Sequence, residues 1–315
     1  MSGFNNVQPD PSMIGRLLKP AFAILPDPVP LFRARAERFA LLAESNALAP
    51  YLRFLAQLCE VQAILAASLP ASESIDPAQV ERARAATMPP LDRNALAGSP
   101  ALHDAVARFL DAAAAIEMPP QAAAGLADLR DGEPAALREM LDNVMADATP
   151  FEALPQHLFL SAAVQVHAAR LVATLDAAQL VPVETGLCPC CGGPPVSSRV
   201  VGWQGAENAR YAACAFCGTQ WNEVRVKCLA CGSTKGIGYK APEDEAGAGA
   251  GGKAEEPTVK AETCDTCHSW VKIFYSNRNP SLEPVADDVG SLGLDLLMRE
   301  TEYRRAGFDP FLIGY

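Results

Sequence analysis

The sequence has no apolar run long enough to span a bilayer, few aromatic residues and no excess of positive charge. The first absence removes any reason to expect a membrane-spanning helix. Aromatics make up 7% of the 315 residues, while Ala and Leu dominate the apolar half, a bias that favours helices packed closely through small side chains. The formal net charge is -11, opposite in sign to the balance of proteins that live on nucleic-acid backbones, so nucleic acid is not the expected partner. Met1 to Pro20 carries no apolar core followed by a cleavage site, so no export leader is expected and the expected setting is cytoplasmic. Ten cysteines in such a setting are expected to be reduced thiols serving as metal ligands, not disulfides.

What is present divides sharply along the chain. Cys59 stands alone in the first 187 residues, and the other nine cysteines lie between Cys188 and Cys267. Upstream of that boundary the apolar period is helical. Candidate helices are Leu31–Ala47, Pro50 to the residue before Pro70, Ala78–Ala86, Ala101–Ile116, Gln121–Arg130, Ala135–Met145 and Gln156–Leu175, most of them bounded by Pro, Gly or Asp. They predict a bundle of roughly six or seven helices. Downstream the pattern turns to short strands at Ser197–Val201, Ala209–Ala213, Gln220–Val226, Gly236–Lys240 and Ser269–Phe274. The acidic, Gly/Ala-rich tract 241–261 cannot bury a core and is read as a flexible hairpin tip. A last helix is expected over about Val289–Ala306. The expected architecture is therefore α+β and multidomain. A helical domain spans 1–183, two small β modules of zinc-ribbon or rubredoxin type span 184–226 and 227–276, and a C-terminal helix and tail span 277–315.

The chemistry is carried by four Cys-x-x-Cys knuckles: Cys188/Cys191, Cys214/Cys217, Cys228/Cys231 and Cys264/Cys267. Two intervening residues let both thiolates converge on one side of a tight turn whose backbone N–H groups face the sulfurs. A glycine after the second cysteine supplies the positive φ that closes the turn. Gly192, Gly218 and Gly232 occupy that place, whereas the fourth knuckle has His268. One such pair could be a redox dithiol, but four flanked by strands point to two centres of four thiolates. Sequential pairing leaves 22 residues between Cys191 and Cys214 and 32 between Cys231 and Cys264, and it makes each half repeat one plan. Interleaved pairing is the alternative, and sequential pairing is preferred because Gln220–Val226 can link two modules. Four thiolates suit either zinc or iron. The first knuckle, Cys188-Pro189-x-Cys191-Gly192, resembles a rubredoxin knuckle and favours two iron ions, with zinc the alternative. Neither centre has an open position for substrate, so catalysis is not expected there.

The remaining candidates have simpler readings. Cys190 is expected to be a bystander thiol and Cys59 a small core residue. His103, His157 and His167 are expected to be hydrogen-bonded helix residues, and His268 lies beside a ligand without being one. Between Val196 and Lys240 six basic residues (Arg199, Arg210, Arg225, Lys227, Lys235, Lys240) outnumber Glu207 and Glu223. A divalent ion with four thiolates carries about two negative charges, so these cations are read as partly neutralising the centres. Trp203, Trp221 and Trp270 are expected to pack the module cores. Asp287 and Asp288 are expected at the N-terminus of the last helix, where its dipole favours them.

The chain also resembles the FdhE family of formate dehydrogenase accessory proteins. The resemblance rests on Leu25-Pro26-Asp27-Pro28, Tyr51-Leu52-Arg53-Phe54, Arg210-Tyr211 before Cys214-x-x-Cys217-Gly218-x-x-Trp221, and Arg225-Val226-Lys227-Cys228-x-x-Cys231-Gly232. Cys264-Asp265-x-Cys267, Pro284-Val285-Ala286-Asp287-Asp288, Leu294-Asp295-Leu296-Leu297-Met298 and Pro310-Phe311-Leu312 extend it to nearly the full length. It implies a helical domain joined to two rubredoxin-like modules with iron. It also implies a cytoplasmic protein, not itself a dehydrogenase, that binds the catalytic subunit of formate dehydrogenase and makes that enzyme active. Cys190 and the long acidic tract depart from the pattern without touching the eight candidate ligands. The metal centres are then expected to act either as a redox device toward the client or as a structural pair presenting a client-binding surface; a ribbon protein that binds nucleic acid is the third alternative, disfavoured by the net charge of -11.

Overall fold

The computed structural model describes residues 20–71, 74–242 and 256–312. The opening segment 1–19 and most of the acidic tract, 243–255, lie outside the described residues, and with them the readings made of a missing leader and a flexible tip.

Proline opens the helices of the first half. The missing N–H of proline costs nothing in the first turn, and its fixed φ is already helical. Pro therefore stands at the first or second position of α1 (Pro28–Leu42), α2 (Ala49–Ser68), α3 (Pro77–Ala85), α5 (Pro100–Ala113), α6 (Pro120–Asp131), α7 (Pro134–Met145) and α8 (Leu154–Val172). Side chains complete several starts: Asp76 accepts from the Ala78 N–H, and Ser99 from that of Leu102. The sequence pattern missed a one-turn helix, α4 (Arg93–Leu96), which Asp92 caps at both Asn94 and Ala95. The longer helices bury an apolar stripe, but α8 is buried on every side from His157 to Ala169 and forms the axis against which α2, α5, α6 and α7 pack.

The second half forms one sheet across both predicted modules. Its strands are β1 (Ala23–Ile24), β2 (Ser197–Val200), β3 (Arg210–Ala213), β4 (Gln220–Glu223), β5 (Ile237–Lys240), β6 (Val259–Cys264), β7 (Ser269–Tyr275) and β8 (Arg304–Arg305). The order is β1-β4-β3-β2-β7-β6-β5, and β8 also pairs with β7. β2–β3–β4 and β5–β6–β7 are two antiparallel meanders, and the parallel pairing of β2 with β7 joins them (Ser198↔Ile273, Val200↔Tyr275). The two units thus follow each other by translation across the sheet, with strands pointing the same ways. In each unit one knuckle precedes the first strand and one lies between the second and third, so all four knuckles lie at the same end of the sheet.

Three expectations need correction. The tract read as flexible to residue 261 ends earlier, because β6 begins at Val259 and pairs with both β5 and β7. The last helix is not continuous. It divides into α9 (Ala286–Gly290) and α10 (Leu292–Arg299), and the residues expected at its end form β8. Asn46 donates to the Gly290 carbonyl, and Gly290 lies where a Cβ would come 2.8 Å from Leu42, so close packing on α1 sets the break. Asp287 and Asp288 stand in the first turn of α9, but they are buried ion-pair partners and not dipole caps. Asp287 forks onto Arg38 at 2.6 and 2.8 Å. The N–H groups of Val285 and Ala286 are instead satisfied by the Glu283 carboxylate.

Asp288 belongs to a dry charge cluster that binds the C-terminal segment to β7. Lys272 is fully buried, with its ammonium 2.5 Å from Asp295 and 3.4 Å from Asp288, and it donates to the Asp288 carbonyl at 2.6 Å. Arg305 forks onto Asp288 at 2.6 and 2.7 Å and also reaches Asp295. Asp309 would make a third carboxylate against two cations. Burial, followed by the charge of Asp288, pushes its pKa well above the usual carboxylate range, which favours the neutral acid. Lys272 and Arg305 balance Asp288 and Asp295 one for one, and a neutral Asp309 leaves that balance intact, the condition under which buried ions are tolerable.

Removing one cation should therefore be costly. Lys272→Met is expected to lower unfolding free energy by about 3–5 kcal/mol in urea titration. Asp309→Asn imitates the neutral acid and should cost little at pH 7. Because the folded-state pKa of Asp309 is raised, its contribution is present below the unfolded value and fades as pH rises toward the folded one. The stability of Asp309→Asn relative to the unaltered chain should therefore rise with pH above about 4, measured as unfolding midpoint against pH.

Candidate metal centres

Each knuckle folds as its sequence dictates. The N–H of Gly192 donates to the Cys188 carbonyl at 2.8 Å, Gly218 to Cys214 at 3.1 Å and Gly232 to Cys228 at 3.0 Å. These glycines have φ of 72°, 76° and 76°, and His268 takes the same place in the fourth knuckle with φ 53°, its N–H donating to the Cys264 carbonyl. Within the third knuckle, the N–H groups of Ala230 and Cys231 lie 3.3 and 3.5 Å from Cys228 Sγ, the inward N–H···S arrangement that stabilises thiolate charge.

The sulfurs gather in sequence order. Cys188, Cys191, Cys214 and Cys217 form one group, Cys228, Cys231, Cys264 and Cys267 the other, and within each group all sulfurs lie within 4.8 Å of one another. Cross-knuckle contacts include 3.6 Å (Cys188–Cys217), 3.5 Å (Cys191–Cys214) and 3.7 Å (Cys228–Cys267 and Cys231–Cys264). A tetrahedral ion with metal–sulfur bonds of about 2.3 Å separates its ligands by about 3.8 Å. The spacing matches that and is far beyond a disulfide bond of about 2.05 Å. Each group could therefore hold one metal ion, and interleaved pairing does not occur. Hydroxyls accompany the sulfurs: Thr219 Oγ1 is 3.2 Å from Cys217 Sγ, and Ser269 Oγ is 2.9 Å from Cys267 Sγ.

Proton affinities reflect the crowding. Burial pushes the Cys188 thiol well above its ordinary value, and four thiols so close cannot all ionise unaided. Cys217 falls well below it: burial raises it, but the sulfur contacts with Cys188, Cys191 and Cys214 outweigh burial. In the second group Cys228 drops to about 7, since the N–H groups of Cys231 and Ala230 and the Ser269 hydroxyl outweigh its burial. Each group thus reaches for charge compensation that a divalent cation would supply.

The two centres differ in their surroundings. In the first, all of residues 188–191 and 214–217 are buried. The Leu91 N–H donates to the Cys190 carbonyl at 2.9 Å, and Gly192 lies where a Cβ would come 3.1 Å from Pro89. Arg93 lies over the Phe216 ring at 4.1 Å and forks onto Asp147 at 2.6 and 2.8 Å. Burial lowers its pKa, but Asp147 first and then Cys191 and Cys214 raise it overall, and its position over Phe216 puts a cation beside this centre. The sequence reading missed Arg93, since nothing in a one-turn helix 95 residues upstream of Cys188 marks it as a metal-site neighbour. In the second centre Cys228 and Cys264 are buried, but Cys231 and Cys267 are exposed.

The cations expected to neutralise the centres mostly have other work. Arg210 is buried on Glu262 at 2.7 Å and on Ser198, Arg199 donates to Ser276, Lys227 pairs with Glu223 at 3.0 Å, and Arg225 donates to the Asn208 carbonyl. Trp221 and Trp270 are buried in the sheet as expected, whereas Trp203 is 39% exposed over Tyr211. Cys190 and Cys59 are buried and belong to neither group. Burial raises the Cys59 pKa beyond any physiological range. His157 bonds to the Ala153 carbonyl and His103 to that of Ala97, while His167 is buried and kept neutral, its pKa lowered to about 4 by burial and Arg170. His268 turns to Glu302 at 3.1 Å. No described helix is long and apolar enough to cross a membrane.

Comparison with known proteins agrees with this geometry along the whole chain. Three family models match in succession: FdhE, N-terminal, over residues 20–185; FdhE, central domain, over 187–225; and FdhE, C-terminal domain, over 226–312. Protein FdhE homolog of Rhizobium meliloti (strain 1021) is 55% identical over 309 residues, covering 98% of each chain. Protein FdhE of Escherichia coli (strain K12) is 33% identical over 294 residues, 90% of this chain and 88% of that one. The crystal structure of the FdhE protein from Pseudomonas aeruginosa superposes with a TM-score of 0.80 at 30% identity, covering 93% of this chain and 99% of that chain. A chain that shares its sequence end to end with these proteins, and its fold with one of them, belongs to the FdhE family.

Proposed function

We propose that the chain is a cytoplasmic accessory factor that binds the catalytic subunit of formate dehydrogenase and is needed for that enzyme's activity, without catalysing a reaction itself. The observation that carries this reading is membership of the FdhE family along the full length, with both four-sulfur groups complete. Cys188, Cys191, Cys214 and Cys217 would hold one ion, and Cys228, Cys231, Cys264 and Cys267 the other, with iron at both and zinc the alternative. Bound there, iron supplies one-electron chemistry and zinc only a cross-link between knuckles. The chain's own part is to hold the sulfurs in place, aim backbone N–H groups at them, and exclude water from the first centre. With four protein ligands at each ion no position is left for a substrate, which fits an accessory role better than an enzymatic one.

Protein purified without oxygen is expected to contain two metal ions per chain by elemental analysis. Iron should give a visible thiolate charge-transfer spectrum that is lost on reduction and regained on oxidation. Metal-free, fully reduced protein that is nonetheless folded would overturn the metal assignment. In a host lacking its own homologue, the chain should restore formate dehydrogenase activity and co-purify with the catalytic subunit, and failure of both would overturn the accessory role. Cys214→Ser opens a thiolate site inside a dry interface. It is expected to cost most of the folded, soluble protein, together with client binding, as judged by circular dichroism and co-purification.

A further inference from the structure

The two centres share one local design but not one environment. All eight residues of the first pair of knuckles are buried, and the helical half covers them from two sides: Pro89, Leu91 and Arg93 on the first knuckle, Pro26 and Leu31 on the second, where a Cβ at Gly218 would come 2.6 Å from Leu31. In the second pair, residues 230, 231 and 265–268 are exposed, including the sulfur-bearing Cys231 and Cys267. The fourth knuckle is held on one side by Tyr303 donating to Asp265 at 2.7 Å, Glu302 on His268 and the Arg304 N–H on the His268 carbonyl, and on the other by the Asp265 N–H on the Gly236 carbonyl and Thr266 on Ser233. Glu302, Tyr303 and Arg304 also line an open hollow of about 490 Å³ that reaches Trp270.

An ion in a closed four-thiolate site leaves only by ligand exchange. An incoming donor must come within bonding distance, about 2.0–2.3 Å, as a metal–sulfur bond breaks. At the first centre such an approach requires the helical half to lift off both knuckles, a subglobal opening with a large free-energy cost. At the second, Cys231 and Cys267 already face solvent.

We propose that the second centre is an exchange site, where metal is accepted from and surrendered to soluble thiolate or nitrogen donors through Cys231 and Cys267. The first centre is a sealed fixture loaded as the chain folds. In the exchange step the donor's lone pair forms a new bond to the ion, the Cys267–metal or Cys231–metal bond breaks, and the released thiolate takes a proton from water. No electron moves. The proposal rests on the reading that each four-sulfur group holds an ion.

The test uses the full chain loaded with zinc, so that redox change plays no part, and an excess of the chromophoric chelator 4-(2-pyridylazo)resorcinol. Two phases are expected, each releasing one zinc per chain, the second slower by about tenfold or more. Cys267→Ser should remove the fast phase and leave the slow one in place. Iodoacetamide added during the fast phase of the unaltered protein, followed by peptide mass mapping, should label Cys228, Cys231, Cys264 and Cys267 ahead of Cys188, Cys191, Cys214 and Cys217. Release of both ions at one rate, or early label at Cys188 or Cys214, would overturn the proposal, and the mapping decides even if the variant does not fold. Fewer than two zinc ions bound at the start would instead overturn the metal reading beneath it.

Discussion

Bringing four thiols to one point is the constraint around which the second half of this protein is built. Thiolates repel, and buried thiols resist ionising, so the arrangement persists only where N–H groups, hydroxyls and a cation share the charge. The knuckle turn answers the first need locally, with a positive φ after the second cysteine that turns the chain so that its amides face inward. The fourth knuckle shows that the demand is conformational and not specific to glycine. His268 accepts φ 53° there, a strain of a few kcal/mol at most for a non-glycine residue.

Once the turns are fixed, the strands follow. Every knuckle launches or receives a strand, so pairing two knuckles sets the register of the meander between them. Parallel pairing of β2 with β7 then repeats the unit by translation and brings both centres to one end of the sheet. Such a repeat brings the stem before the first knuckle against the other centre. Gly186, at φ 72°, lies where a Cβ would fall 1.7 Å from the Leu229 carbonyl oxygen inside the third knuckle, so only a glycine lets the chain pass. The two centres are thereby mechanically adjacent although they share no ligand.

The eight sulfurs, their grouping and the proline-led helices were legible because each is fixed by residues close in sequence. Cys-x-x-Cys-Gly and Pro at a helix start carry their geometry with them. The elements that escaped are set at long range. β6 looks like the end of an acidic loop until β5 and β7 flank it, and β8 is held by Lys272, Asp288 and Asp295 through Arg305. For the same reason Asp287 and Asp288 read as helix caps: their cation partners, Arg38 and Lys272, come from elements with no visible relation to α9. Arg93 is the clearest case, a charged neighbour of the first four-sulfur group supplied by the other half of the chain.

That same long-range dependence separates two centres which the sequence writes almost identically. Nothing in Cys214-x-x-Cys217-Gly218 announces burial, and nothing in Cys228-x-x-Cys231-Gly232 announces exposure. The difference comes from what the helical half can reach. Its α1 start and its 89–93 segment meet the unit that directly follows it, and the sheet carries the second unit three strands further away. Repeating a four-cysteine group by translation beside one covering helical half therefore gives one covered copy and one open copy as a geometric consequence. The duplicated four-cysteine group acquires two environments without any change in its cysteines.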